Sequence, residues 1–151
     1  MKTILIIESN PEIRENLTEL LELNGFTTLA ADSVVDAIIL LNQCWVDIIL
    51  GNFKPDCRES IRLVNFLSSN ENLNRISIVS MSSTPLKGEK QEALNSGMDE
   101  YLVKPFSETE LIVSIKKALI YRAWKELKRC LRNNQNLYQQ NHPSVPFFSL
   151  N

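Results

Sequence analysis

Short apolar runs alternate along the chain with longer segments whose apolar residues recur every three or four positions. The first run, ILII at residues 4–7, is rich in β-branched residues and has no polar interruption, as expected for a strand buried on both faces. TTLAA, VDIIL, ISIVSM and EYLV are further runs, and a helical pattern follows each of them. Five β-α units with short connections predict a parallel sheet with helices on both faces.

Local signals place the ends of several helices. Asn10 and Pro11 suit the N-cap and first position of the first helix, and Gly25 suits its end. Ser33 is a candidate N-cap for the second helix, and a third helix is expected near residues 58–68. SETE at residues 107–110 is a capping box that opens a long last helix.

Apolar residues recur along that last helix at spacings typical of a paired coil. Two outcomes remain open, because the row can pair with a second copy of the chain or fold back on the preceding domain through Trp124 and Leu127. We divide the chain into a domain at 1–122 and a helical extension with a polar tail at 123–151. The tail ends in NHPSVPFFSLN, for which a disordered end and a peptide hook are both possible. The row consists of Ile120, Trp124, Leu127, Leu131, Asn134 and Tyr138.

The second helix carries more apolar residues than one buried face requires. With Ala37 turned toward the sheet, Val35 and Ile39 should face solvent and Leu40 should lie beside them. An exposed patch of this kind is a candidate docking surface for a protein partner. The alternative is that the tail or a loop covers it.

Composition and charge narrow the function classes. The chain has 151 residues, of which 44% are hydrophobic and 23% charged, so one globular domain is expected. A formal net charge of −2 does not favour nucleic-acid binding. Basic residues are concentrated between Lys116 and Arg132, where Glu126 is the only acid. We expect these basic residues to flank the apolar row of the last helix, and we interpret them as a solvated helix face rather than a DNA or membrane contact. They include Arg122, Lys125, Lys128, Arg129 and Arg132.

The cysteines and the histidine exclude several kinds of site. Cys44, Cys57 and Cys130 are far apart and odd in number, which indicates free thiols in a reducing cytosol rather than a disulfide framework or a zinc site. His142 is the only histidine and lies in the polar tail, so triad catalysis has no plausible base. The apolar run near the start is too short for a signal sequence or a membrane span. We therefore expect a cytoplasmic protein.

Polar side chains follow four of the five predicted strands. In a doubly wound sheet, ligands bind in the crevice beyond the carboxyl ends of the strands. The residues at those ends are the candidates for function. They are Glu8, Ser9, Asn52, Ser82 and Lys104.

Two segments carry a family resemblance. GMDEYLVKPF at residues 97–106 and NGFTTLAADSVVDAIILL at residues 24–41 resemble the receiver domain of two-component response regulators. Asn52 and Ser82 are 30 positions apart, and Ser82 and Lys104 are 22 apart, which is similar to the family's spacing of phosphoacceptor, hydroxyl and lysine. The resemblance covers residues 2 to about 121. It implies a flavodoxin-like, doubly wound five-stranded parallel sheet of (βα)5 order, here with an extended C-terminal helix.

The resemblance also implies a chemistry that this chain lacks in part. In the family, a carboxylate at the end of strand three accepts a phosphoryl group from a histidine kinase, and two acids after strand one help to hold Mg²⁺. Lys104 and Ser82 match the residues that contact the phosphoryl oxygens, and Tyr101 matches the aromatic switch residue. Ser9, however, replaces one acid, and Asn52 replaces the phosphoacceptor.

An amide in place of the phosphoacceptor changes the expected function. The amide nitrogen is neutral and delocalised, so Asn52 cannot form the acyl phosphate, and Glu8 alone should bind Mg²⁺ weakly or not at all. We expect no cofactor and no enzyme activity. Lys104 should instead form an ion pair with Glu8 or a hydrogen bond to Asn52.

The sequence therefore predicts a pseudo-receiver: a phosphorylation-independent protein-interaction module of bacterial two-component or phosphorelay signalling. Its expected partner is a histidine kinase, a regulator or a second copy of the chain, since residues 123–151 are too few for an output domain. One alternative is a phosphorylatable regulator that uses Asp56 as a displaced carboxylate. Others are a small-molecule sensor and, least favoured, nucleic-acid binding through the basic helix.

Overall fold

The computed structural model describes residues 1–144, and the last part of the predicted tail lies outside the described residues. Five strands alternate with five helices, in the order that the apolar runs predict. The strands are β1 (Thr3–Ile7), β2 (Thr27–Ala31), β3 (Ile48–Gly51), β4 (Ser77–Ser82) and β5 (Glu100–Val103). The helices are α1 (Pro11–Leu23), α2 (Val34–Gln43), α3 (Arg58–Ser68), α4 (Glu89–Asn95) and α5 (Glu108–Asn141).

All five strands are parallel and lie in the order β2-β1-β3-β4-β5. This is the flavodoxin-like arrangement expected from the sequence, with a change of winding direction at the first strand. Register places the ends of the central strands side by side, because Ile7 pairs with Gly51 and Gly51 with Ser80. The polar residues that follow β1, β3, β4 and β5 are therefore brought to one edge of the sheet.

Two hydrophobic layers enclose the sheet, as its continuous apolar strands require. On one face, Ile4, Ile6 and Leu50 pack under α1 and α5. On the other face, Leu5 and Ile49 pack under α2, α3 and α4. The crevice at the carboxyl ends of β1 and β3 is therefore supported by two strands that are buried on both faces.

The predicted helix caps are confirmed. The side chain of Asn10 accepts hydrogen bonds from the backbone N–H groups of Glu12 and Ile13, at 3.0 and 3.2 Å. Ser33 caps α2 and Ser107 caps α5 in the same way. Each cap satisfies N–H groups that the first turn of a helix leaves without a partner.

Helix α5 runs without a break across residue 122 and continues beyond the sheet. An ion-pair cluster fixes its direction there. The buried carboxylate of Asp99 pairs with Arg122 at 2.8 Å and with Lys125 at 3.2 Å, and it accepts the backbone N–H of Ile78 at 2.8 Å. Trp124 remains 52% exposed, so the helix does not fold its apolar row back onto the sheet.

The apolar patch on α2 is smaller than predicted. Val35 and Ile39 are exposed, as expected. Leu40 is instead partly buried and packs against the core, because it lies at the border between the buried and exposed faces of the helix. No helix within residues 1–144 has the length and apolar character needed to cross a membrane.

Candidate functional site

The crevice at the carboxyl edge of the sheet contains every residue that the sequence placed there. Glu8 and Ser9 follow β1, Asn52 follows β3, Ser82 ends β4, and Lys104 follows β5. The backbone N–H of Lys104 donates to the carbonyl oxygen of Ser82 at 2.8 Å, which holds the last two strands together at this edge. The Lys104–Pro105 peptide bond is cis.

Asn52 itself is exposed, and the residues on either side of it are tightly fixed. The ring of Phe53 folds back over Gly51, where an added Cβ would lie 2.6 Å from Phe53 Cζ and 2.9 Å from the Ile7 carbonyl oxygen. Ser80 Oγ donates to the Phe53 carbonyl oxygen at 2.7 Å and accepts the Phe53 N–H at 3.2 Å. The start of the loop after β3 is therefore a packed structure and not a free hinge.

The donors around Asn52 do not fit Mg²⁺. Glu8 is the only carboxylate directly after β1, and its Oε1 is occupied by the backbone N–H of Asn10 at 3.1 Å. The guanidinium of Arg14 donates to the Glu8 carbonyl oxygen at 2.7 Å, so a fixed positive charge stands beside the acid. Across residues 1–144, no three Asp, Glu, His or Cys side chains are grouped as metal ligands. Mg²⁺ needs an octahedron of oxygen donors with carboxylate charge.

A second pair of acids lies at the neighbouring end of β2, where the sequence suggested no function. Asp32 and Asp36 share a hydrogen bond, which lowers the pKa of Asp32 and raises the pKa of Asp36. Arg14 lowers the pKa of Asp32 further through its positive charge.

Glu89 lies between Ser82 and Tyr101, the hydroxyl and the aromatic residue that match the family's switch positions. Its carboxylate is buried and accepts hydrogen bonds from the Ser82 hydroxyl, at 3.2 Å, and from the Tyr101 hydroxyl. Tyr101 is 5% exposed and lies in the core beneath α4. The hydroxyl and the aromatic that match the family's switch residues are therefore joined to each other through an internal carboxylate.

Sequence reasoning missed Glu89. It stands at the first position of α4, directly after Gly88, which adopts a left-handed φ of 82°. An acid in the first turn of a helix usually faces solvent and favours the helix dipole, so its position gave no sign of burial. Its burial depends on Ser82 in β4 and Tyr101 in β5, and the residue pattern of α4 carries no information about those contacts.

Tyr101 should ionise late as the pH is raised. Burial raises its pKa above the ordinary value of about 10, and the hydrogen bond to Glu89 raises it further, whereas Ser82 acts in the opposite sense. Because the folded chain favours the protonated phenol, this contribution to stability is complete below pH 10 and is lost as the pH rises beyond it.

Ultraviolet absorbance of tyrosinate, followed during an alkaline titration, measures this directly. We expect a late component that disappears in Tyr101→Phe and persists in the control Tyr121→Phe, whose ring is exposed. Loss of the late component in the control, or its absence from the unmodified chain, contradicts the assignment.

Lys104 does not make the contact that the sequence predicted, and Asp56 lies in an exposed turn. In the part of the chain that the structure describes, the Lys104 ammonium has no hydrogen bond or ion pair, so the expected pair with Glu8 or Asn52 does not form. Asp56 is exposed in a turn closed by the Cys57 N–H and the Lys54 carbonyl oxygen at 3.0 Å.

The larger cavities lie away from the crevice. Cavities of about 480 and 440 Å³ are found at the amino edge of the sheet, where both are lined by Trp45 and Arg75. The Arg75 guanidinium stacks 3.5 Å from the Trp45 ring centroid. Nothing in this arrangement directs a small ligand to Asn52 or Lys104.

Comparison with known proteins gives the same family as the motifs. The family model for the response regulator receiver domain matches residues 4–116. The phosphate regulon transcriptional regulatory protein PhoB of Escherichia coli is 30% identical over 118 residues, which are 78% of this chain and 52% of PhoB. The chain thus spans about half the length of that relative.

Two other relatives match along nearly their whole length. The polar-differentiation response regulator DivK of Brucella ovis is 25% identical over 78% of this chain and 96% of DivK. The structure of the Francisella response regulator 1452 receiver domain is 28% identical, with a TM-score of 0.67 over 82% of this chain and 98% of that one. The chain belongs to the response regulator receiver domain family.

Proposed function

We propose that this chain is a pseudo-receiver, which acts in bacterial two-component or phosphorelay signalling as a protein-interaction module without phosphorylation. The observation that carries the proposal is Asn52 at the carboxyl end of β3, in the position of the phosphoacceptor. Its neutral amide cannot become an acyl phosphate. The chain is accordingly not a phosphotransferase, and its output is contact with another protein.

The arrangement around Glu89 supports the same proposal. In the family, the hydroxyl at the position of Ser82 contacts the phosphoryl oxygens. Here that hydroxyl donates to a carboxylate inside the same chain, and so does Tyr101. Because the side chain of Glu89 already accepts hydrogen bonds from both hydroxyl groups, neither of them requires a phosphoryl group as its acceptor.

The proposed partners are those of the family, a histidine kinase or another regulator. The exposed apolar residues Val35 and Ile39 on α2 and Trp124, Leu127 and Leu131 on α5 are the candidate contact sites. DNA is not proposed as a partner, because Arg122 and Lys125 are engaged by Asp99, and Arg129 by Glu126 at 3.0 Å. Fewer basic groups then remain to bind phosphates.

Acetyl phosphate tests the proposal without a partner. We expect that the chain, incubated with acetyl phosphate and Mg²⁺, gains no stable adduct of about 80 Da, the mass of one phosphoryl group, in an intact-mass measurement. A receiver that retains the aspartate serves as the positive control.

An adduct on the unmodified chain overturns the proposal. If Asp56→Asn then abolishes the adduct, the chain is a phosphorylatable regulator with a displaced acceptor. If Asp56→Asn leaves it in place, another carboxylate is the acceptor, and peptide mapping identifies it.

A further inference from the structure

The face of α5 that points away from the sheet is largely apolar from Ile120 to Tyr138. Leu111, Ile115 and Ala118 pack against the sheet. At 100° per residue, the row from Ile120 to Tyr138 lies on the opposite side of the helix. We call this row the α5 seam; it consists of Ile120, Trp124, Leu127, Leu131, Asn134 and Tyr138, of which Ile120 is 70% and Leu127 51% exposed.

The α5 seam has the spacing of a two-stranded coil. Its residues recur alternately every four and every three positions, which keeps them on one face of a supercoiled helix. It spans nineteen residues, or roughly 28 Å at 1.5 Å per residue. A single helix with this row exposed leaves its apolar surface in water, so pairing is favoured by burial.

The flanks of the seam favour a second copy of this chain. In heptad order the flanking positions hold Tyr121, Ala123, Lys128, Cys130, Gln135 and Leu137, and only Lys128 is charged. In a parallel pair Lys128 faces Ala123 of the other helix, so no like charges meet. The remaining basic residues were expected to flank the seam, but Arg122 and Lys125 lie on the opposite side, at Asp99.

Asn134 fits a parallel pair of helices in register. It is the one polar residue in the seam, and in a parallel pair in register each Asn134 meets its own copy. A carboxamide both donates and accepts hydrogen bonds, so two such groups satisfy each other.

We propose that two copies of the chain associate through the α5 seam as a parallel, in-register pair of helices, with Asn134 against Asn134. Because the seam faces away from the receiver of its own chain, the two receivers lie on opposite sides of the coil and do not obstruct it. The pairing requires no phosphoryl chemistry, so its test is independent of the acetyl phosphate experiment.

Sedimentation analysis over a range of protein concentrations tests the association. We expect a concentration-dependent dimer, and we expect Leu127→Glu to raise its dissociation constant about tenfold or more. Ile39→Glu is the matched control, because Ile39 is equally exposed, at 50%, but lies on α2. Circular dichroism establishes that both variants are folded.

A monomer at every concentration overturns the proposal, and so does a dimer that Leu127→Glu leaves intact. Dissociation by Ile39→Glu with Leu127→Glu unaffected assigns the interface to α2 instead. Weak association is compatible with the short seam, so the concentration range must extend to the highest soluble protein concentration.

Disulfide trapping tests the parallel register. In a chain whose three cysteines are replaced by serine, Leu127→Cys should cross-link on oxidation, because the two copies of residue 127 meet across a parallel seam. Arg132→Cys, on the outer side of the helix, should not. Failure of Leu127→Cys to cross-link while the dimer persists overturns the parallel arrangement.

Discussion

Replacing Ser9 and Asn52 together by aspartate should give this chain a phosphoryl-accepting site at the end of β3. The double variant restores the family's second acid after β1 and its carboxylate after β3, at the same edge of the sheet as Glu8 and Lys104. Three carboxylates at one edge bind Mg²⁺ far better than one. We expect the change from no adduct to an adduct of about 80 Da on most of the protein after acetyl phosphate treatment.

The two single variants test separately the effect of the added negative charge and the effect of the added nucleophile. Asn52→Asp alone supplies the nucleophile with one acid fewer, so its adduct should form slowly and only at high Mg²⁺ concentration. Ser9→Asp alone supplies charge without a nucleophile and should give no adduct. Calorimetric titration should show that the affinity for Mg²⁺ increases with the number of carboxylates at the site. It should be lowest in the unmodified chain, higher in each single variant and highest in the double variant.

If the double variant binds Mg²⁺ but gains no adduct, the carboxylate introduced at position 52 is misplaced for attack on the phosphoryl group. The loop after β3 is held by the Phe53 ring and by Ser80, and a nucleophile misplaced by about 1 Å loses most of its reactivity. A double variant that binds no Mg²⁺ would show that Arg14, beside Glu8, decides the site's charge.

The fold was predictable because its signals are local. The continuous run ILII announces a strand buried on both faces, and Asn10-Pro11, Ser33 and Ser107 mark helix starts by side-chain groups that bond within three residues. Such signals need no knowledge of the rest of the chain. The pattern of strands then placed Glu8, Asn52, Ser82 and Lys104 at one edge of the sheet, since parallel strands end together.

The contacts within the site were not predictable in the same way. Phe53 reads as an exposed loop residue after Asn52, but its ring closes over Gly51 because a glycine there leaves room for it. Glu89 reads as a helix-dipole acid, but it is buried by Tyr101 and Ser82 from two different strands. These positions are set by tertiary packing, which overrides the local preference of the residue.

The basic residues of α5 illustrate the same limit. Their helical spacing suggested a solvated face, and Lys128 and Arg132 are consistent with it. Arg122 and Lys125 instead converge on Asp99, which the sequence placed only within a family motif. Because Asp99 is fully buried at its side chain, the cluster ties the end of the sheet to the part of α5 that leaves it.

Asp99→Asn should be among the most destabilising single substitutions in this chain. The change leaves a neutral carboxamide against Arg122 and Lys125, removes the negative charge from three charge-assisted hydrogen bonds, and weakens the acceptor for the buried N–H of Ile78 in β4. Loss of one partner from a buried ionic cluster costs about 3 kcal/mol, and Arg122 and Lys125 recover a part of that through their partial exposure.

Urea denaturation followed by circular dichroism measures the effect on the free energy of unfolding. We expect a loss of about 2–3 kcal/mol for Asp99→Asn, and a smaller loss for Lys125→Met, because Lys125 is the more exposed of the two cations. Arg129→Met is the control, since its pair with Glu126 lies at the surface and should contribute less than about 1 kcal/mol. Equal losses in Asp99→Asn and Arg129→Met would mean that the cluster does not anchor α5. In that case the direction of the helix beyond the sheet, and with it the outward orientation of the α5 seam, must be set by the packing of Leu111, Ile115 and Ala118 alone.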